Sequence, residues 1–341
     1  MLPLVSILIP AYNADRWIAD AIQSALNQTW QRKEIIIIDD GSVDQTASVA
    51  SQFASRGVTV VVQNNQGAAS ARNHAFSICR GDLIQWLDAD DLLAPDKIEK
   101  QVSILNNSSS KRTLISSEWA RFTYRPKKAH FIPSVLWCDL PPAEWLIRKL
   151  QHNLFMQTAT WLVSRELSVA AGEWDVRMLS DDDGEYFCRV IRASECVRFC
   201  PGSKVFYRNT PTYRLSHIGM SESKKEAMVL SMKLHVQHLR SLNDSDRSRA
   251  ACVTYLQNWL IYFYPERPDL VRDLQSVAFA LGGRLVVPEL RWKYSWMIPL
   301  FGWSFAKNAQ MTFPLWKQLS NCRIERWFSV LDKRDRFEVP G

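Results

Sequence analysis

EIIIIDDGS, residues 34–42, decides the fold. Ile35, Ile36, Ile37 and Ile38 run without helical period and without alternation, so they read as a strand covered on both faces. Such strands belong to parallel sheets with helices on either side. The run closes on Asp39-Asp40-Gly41-Ser42, a cluster of turn-forming residues, and a helix is expected from about Val43 to Ser55.

The same alternation repeats outward. Val5 to Pro10 is a short apolar strand, and Asn13 is expected to cap a helix carrying Trp17, Ile18, Ile22, Ala25 and Leu26. Val58 to Val62 is a third strand. Asn65-Gln66-Gly67 then turns into a helix from Ala68 to about Cys79. Asp82 to Leu87 is a fourth strand, ending in Asp88-Ala89-Asp90-Asp91, and Pro95 opens a helix reaching about Leu105. The middle third is less regular. Asn106 to Lys111 reads as a polar loop, and Pro126, Pro133, Pro141 and Pro142 punctuate a segment that the pattern leaves unassigned. Thr160 to Val163 reads as strand. Val197 to Tyr207 reads as strand broken by a Pro201-Gly202 turn, and Asp183 to Ala193 as helix. Beyond His217 the period is helical over Met228–Leu239, Ala251–Tyr262 and Leu270–Ala280.

With 341 residues, 47% hydrophobic and 23% charged, the chain has room for one large α/β domain and a smaller appended part. Disordered, collagen-like and disulfide-scaffold classes are excluded. Lys and Arg exceed Asp and Glu by 42 − 35 = 7. That surplus suits nucleic acid, anionic lipid or a phosphorylated substrate without choosing among them. The seven cysteines are odd in number and contain no C-x-x-C pair, which fits a reducing cytoplasm. The first residues read as a buried strand rather than a signal peptide, and no uncharged run approaches the ~18–20 residues of a membrane span.

In an open parallel sheet, ligands bind beyond the carboxyl ends of the strands, and the unusual polar clusters of the first 90 residues all fall there. Asp88 and Asp90, one small residue apart, can bracket a hard divalent cation; the plainer reading is an acidic turn capping the next helix. Asp40 can accept the imide N–H of uracil, while Ser42 or Asp44 caps the helix that follows. Gly67 to Asn73 starts a helix with small residues, so its first amides can approach a ligand. Arg72, one turn inside, braces a phosphate or forms an ion pair with Asp88 or Asp90.

SILIPAYN, IIIIDDGSVDQT, NQGAASARN and IQWLDADD, in this order and spacing, resemble the family 2 glycosyltransferases of the GT-A fold. The likeness is strong over roughly residues 4–100 and moderate over 155–216. It implies an α/β, Rossmann-like mixed sheet flanked by helices, with residues 1–217 as catalytic domain. About 1–105 would form the nucleotide-sugar half and 106–217 the acceptor half; residues 218–341 would be a mainly helical extension. It also implies inverting transfer of a sugar, most simply from a UDP-sugar with Mn²⁺ or Mg²⁺, to a carbohydrate or lipid-linked saccharide hydroxyl. Pro10, Ala11, Tyr12 and Asp40 would then hold the nucleoside, together with Asn13 and Gly67 of the neighbouring loops. Asp88, Ala89 and Asp90 would hold ribose and the metal–diphosphate.

The family's second signature falls on Ser180-Asp181-Asp182-Asp183-Gly184-Glu185, after Gly172-Glu173-Trp174-Asp175. It assigns the catalytic base to Asp183, with Asp182 as runner-up because three aspartates run together. Acids in a first helical turn also stabilise the helix dipole without any chemistry. Downstream, Arg208 is expected at the diphosphate, and His217 as an additional metal ligand or merely a surface residue.

From Leu290 to Trp327, Trp292, Trp296, Trp303, Phe305 and Trp316 lie among Arg291, Lys293, Lys307 and Lys317. They suit peripheral contact with the inner face of a membrane, or packing on the catalytic domain or a second subunit. No motif supports nucleic-acid binding. Two rival functions stay open: a sugar nucleotidyltransferase, which would carry a Gly-rich, lysine-bearing first loop, and a catalytically silent nucleotide-sugar-binding protein on the same scaffold.

Overall fold

The computed structural model describes residues 2–106, 110–210 and 221–313. Among the described residues eight strands are formed: β1 (Val5–Ala11), β2 (Lys33–Asp39), β3 (Val58–Val62), β4 (Leu83–Trp86), β5 (Leu92–Leu93), β6 (Thr113–Phe122), β7 (Val163–Ser164) and β8 (Cys196–Arg208). The first seven helices are α1 (Ile18–Leu26), α2 (Thr46–Ser51), α3 (Ala68–Ile78), α4 (Lys97–Asn106), α5 (Pro142–Gln151), α6 (Arg165–Ala171) and α7 (Asp182–Ala193). Beyond them come α8 (Glu222–Leu242), α9 (Asp246–Trp259), α10 (Pro268–Ala280), α11 (Trp292–Ser295) and α12 (Ile298–Phe301), and residues 303–313 are also helical.

The main sheet has the order β3-β2-β1-β4-β7, with β7 antiparallel and the others parallel. Period-two side-chain alternation puts its two faces into two separate cores. Leu8, Ile36 and Ile38 enter one, while Ile7, Ile9, Ile35 and Ile37 enter the other. The unbroken isoleucine run is therefore two half-runs, each facing its own layer of helices. Because neighbouring strands are in register from Val5↔Lys33 to Ala11↔Asp39, their polar ends align on one edge.

A second sheet, β5-β8-β6, crosses the chain's middle. In it β6 pairs in parallel with β8 on both sides of a register shift at Ser117/Glu118. Pro201 and Gly202 sit in that bulge, so the expected break in the strand is a kink within one continuous element. The proline-punctuated stretch yields α5, opened by Pro141-Pro142, and the pattern missed β6 altogether.

Several boundaries are corrected. The helix expected over Val43–Ser55 is only α2 plus a 3-10 turn at Ala54–Arg56. Thr160 ends a 3-10 turn, and the strand there is only Val163–Ser164. Asn13 does not cap α1, whose capping position is Trp17. Asn13 instead takes a left-handed backbone, φ 49°, and its side chain accepts from Val43 N at 3.0 Å.

Met228, Met232 and Leu239 of α8, Leu256 of α9 and Leu274 of α10 belong to the same apolar cluster as Trp86, Trp161 and Phe187. The helical extension thus shares a core with one face of the main sheet. The expected division at residue 217 lies among residues 211–220, outside the described residues, as do His217, Trp316 and Lys317. Among the described residues no helix is long and apolar enough to cross a membrane.

Candidate active site

The site is built at the carboxyl ends of β1, β2, β3 and β4. Beyond β1, Tyr12 leaves its ring half exposed at 52%, while Pro10 and Ala11 stay paired to β2. Asn13 N donates to Ser42 Oγ at 2.9 Å, and Ser42 Oγ donates to Asp39 Oδ1 at 2.5 Å, which ties the first two strand ends together. Asp44 accepts from Thr46 N at 2.9 Å and Asp15 N at 3.2 Å. It thus holds the start of α2 against the loop before α1, and these bonds keep its carboxyl below the usual range despite partial burial.

Asp40 is buried, and its role includes one that the sequence reading lacked. Oδ1 accepts from Gln63 Nε2 at 2.7 Å and Gln66 N at 2.9 Å, and Oδ2 from Gly67 N at 2.8 Å. The carboxylate therefore anchors the loop that starts α3, with acceptor capacity remaining on Oδ2. Gly67 makes this turn with φ 91°. Gly41 is required by a close approach, since a Cβ there would meet Asn65 N at 2.8 Å.

At the end of β4, Asp88 is linked to the far side of the site through Arg72. The buried guanidinium donates to Asp88 Oδ1 at 2.9 Å and Asp182 Oδ2 at 2.5 Å, and it lies over the Trp174 ring at 4.4 Å. Its pKa is raised: burial works against the charge, and the carboxylates of Asp182, Asp88 and Asp183 outweigh it. The ion-pair reading of Arg72 is the one seen, with Asp182 added as a partner that nothing in the spacing announced.

Asp91 escaped the sequence reading. It is fully buried, accepts from Gln157 Nε2 at 2.6 Å and from Arg208 N at 2.7 Å, and sits well above the usual carboxyl range. Burial is the main cause, followed by the charges of Asp90 and Asp88. Arg208 donates Nε to the Asp90 carbonyl at 2.7 Å and NH2 to Asp20 at 2.9 Å, and is covered by Trp17 and Phe122. It holds the Asp88–Asp91 loop from behind. The one available signal was an acid directly ahead of the apolar pair Leu92-Leu93.

The start of α7 supplies the opposite wall, and its three aspartates separate by environment. Asp182 is taken by Arg72. Asp181 faces inward and accepts from Ser231 Oγ of α8 at 2.5 Å. Asp183 accepts from Thr158 Oγ1 at 3.2 Å and from Gly184 N at 2.9 Å. Its pKa is raised to about 7, first by burial, then by Asp182, Asp181 and Asp88, with Arg72 opposing. Glu185 is part of the frame: it grips Arg189 at 2.8 Å through both oxygens.

A mixed α/β sheet with converging loops at its strand ends, an acidic turn after β4 and an acidic helix start opposite defines a GT-A fold. Residues 6–167 match the model of glycosyl transferase family 2. An uncharacterised glycosyltransferase of Rickettsia typhi is 30% identical over 198 residues, covering 56% of this chain and 60% of that protein. Chondroitin synthase of Escherichia coli is 46% identical over 99 residues, 28% of this chain and 14% of the synthase. The chain thus spans about 60% of the length of the first of these relatives and less of the second. Among solved structures, Staphylococcus aureus TarS 1–349 with UDP-GlcNAc superposes with TM-score 0.64 at 14% identity, over 81% of each chain. The likeness to TarS is one of fold.

Proposed function

We propose that this chain is an inverting, metal-dependent glycosyltransferase that moves a sugar from a UDP-sugar to a hydroxyl of a saccharide or lipid-linked saccharide. The observation that carries the reading is Asp183: a carboxyl with pKa about 7 facing Asp88 across the strand-end site. An acceptor hydroxyl is a poor nucleophile at neutral pH, and a carboxylate tuned near the working pH is suited to take its proton. Asp182, paired to Arg72, is the less available base. The proton passes to Asp183 as the acceptor oxygen bonds to the anomeric carbon. The bond to the diphosphate breaks on the opposite face, and its electron pair leaves with UDP. Attack from the face opposite the leaving group inverts the anomeric centre, so no carboxylate nucleophile is needed. Complexes of the structural neighbour TarS with UDP-GlcNAc, and the relative that is a chondroitin synthase, support a nucleotide-sugar donor and polysaccharide synthesis.

Among the described residues no three metal-binding side chains converge. Asp88 offers Oδ2 beside its bond to Arg72, and Asp90 stands on the same turn. That donor set fits Mg²⁺ or Mn²⁺, which take one or two carboxylates and complete their shell with water and phosphate oxygens. When bound, such an ion would neutralise charge developing on the departing diphosphate. The half-exposed Tyr12 and the remaining acceptor of Asp40 support a nucleoside site beyond β1 and β2. The first loop, Pro10-Ala11-Tyr12-Asn13, lacks the glycines and lysine of a nucleotidyltransferase, which disfavours that rival.

The test is UDP binding followed by turnover. UDP at 100 times its Kd with Mn²⁺ should stabilise the fold by ~2.7 kcal/mol, readable as a rise in Tm. EDTA should remove the rise, and Asp90→Ala should lack it with or without metal. A UDP shift without turnover of any UDP-sugar would favour the silent binding protein.

The acceptor side of the proposal includes a membrane surface. Trp292, Trp296, Leu300, Phe301, Phe305 and Phe313 are exposed, with Arg291 and Lys293 beside them. Aromatic and basic groups together favour an anionic bilayer interface. Co-sedimentation with vesicles rich in anionic lipid is expected and should weaken in high salt. A paired Trp292→Ser, Trp296→Ser variant should stay in the supernatant; equal pelleting of the variant would remove this part of the proposal.

A further inference from the structure

The left-handed entry to α7 is held from the helical extension. Asp181 has φ 57°, uncommon for a residue other than glycine, so its surroundings must hold it there. Its carboxylate folds back over the first turn of α7. A Cβ on Gly184 would come within 2.1 Å of Asp181 Oδ1, so that packing is what demands glycine at 184. Behind it, Ser231 Oγ donates to Asp181 Oδ2 at 2.5 Å, and His235 Nε2 lies 3.7 Å from the same oxygen. His235 is fully buried, with Nδ1 2.9 Å from the Tyr255 hydroxyl of α9. Burial, with Lys149 next, holds His235 neutral. With Asp181 and the Gly184 backbone on its Nε2 side, the tautomer that fits carries the proton on Nε2 and leaves Nδ1 to accept from the Tyr255 hydroxyl.

We propose that Ser231, His235 and Tyr255 are positioning residues for the transfer reaction: through Asp181 they fix the start of α7 and so aim Asp183. The inference rests on the base role given to Asp183 above. Apolar side chains would join α8 to α7 at least as well, because buried polar chains are costly when the only need is cohesion. What the polar chain adds is a fixed left-handed entry to α7, with Asp181 tied to Ser231 two residues before the base. Asp181 itself faces Lys149 from α5, Asp182 and Glu185 from α7, and Ser231 and His235 from α8. Asp183 faces Asp182, Asp181, Asp88, Arg72 and Thr158.

The test compares Ser231→Ala and Tyr255→Phe, which delete single hydroxyls, with Lys233→Ala, which breaks an α8–α10 pair to Asp273 away from the site. Each is assayed for kcat and KM, with UDP-induced thermal shift as the measure of donor binding. Ser231→Ala should lower kcat about ten- to a hundredfold with donor KM and the UDP shift unchanged. Tyr255→Phe should lower kcat in the same way by less. Lys233→Ala should lower Tm only. Wild-type kcat in Ser231→Ala would overturn the proposal, as would a kcat loss reproduced by Lys233→Ala at equal loss of Tm. A wild-type protein that binds UDP and transfers nothing sinks the base role and this inference together; turnover with unmoved variants sinks this inference alone.

Discussion

Asp183→Asn is expected to lose transfer by about a hundred- to ten-thousandfold while binding UDP as the wild type does. The amide keeps the size and the contact with Thr158 but has no lone pair basic enough to take a proton. In the wild type, kcat/KM should rise with pH through about 7, where Asp183 ionises, and level off above it. That limb should vanish in the variant. Stability should respond in the opposite sense. The folded-state pKa lies above the ordinary unfolded value, so the wild type loses stability as pH climbs from about 4 to about 7. Asn carries no such cost, and the variant should melt no lower than wild type at pH 8. An inactive variant that also melts early would mean a structural role; an active one would move the base to Asp182, for which Asp182→Asn is the direct check.

Arg72→Met is expected to cost about 3 kcal/mol of stability and most of the activity, the low end of what breaking a buried charge pair costs, because its carboxylate partners keep some solvent. Methionine fills the space over Trp174 but leaves Asp88 and Asp182 facing each other without the cation that holds them. Both walls of the site should loosen, so donor binding and turnover should fall together, unlike in Asp183→Asn. Arg72→Lys restores charge without the planar fork that reaches two carboxylates at once, and should recover stability more than activity. Denaturation by urea, read beside the UDP thermal shift, separates the two. Wild-type stability in Arg72→Met would show that the bridge is incidental.

Much of this arrangement could be read along the chain, because it depends on local pattern. The strands up to Trp86 fall within a residue or two of expectation, since each is a short apolar run bounded by turn residues. The helices α8, α9 and α10 were likewise visible from their period. Asp40 and Asp88–Asp90 were legible as strand-end residues for the same reason. Where the reading failed, non-local partners decide. β6 is a strand because β8 runs beside it, and its own residues, TLISSEWARF, do not alternate cleanly. Asn13 looked like a helix cap because asparagine often is one, whereas Val43 and Ser42, thirty residues away, claim it instead.

By itself, then, the sequence determined the sheet, the edge of it that carries chemistry, and the acids available there, because alternation and strand ends are properties of neighbouring residues. Tertiary structure alone decided what each acid does. Asp181, Asp182 and Asp183 are chemically identical and adjacent. One is turned inward to Ser231, one is claimed by Arg72, and one is left to titrate near neutrality. That division is made by α8, α3 and the Thr158 turn, which meet at this point only when the chain is folded, and desolvation and charge act over ångströms in space rather than along the chain.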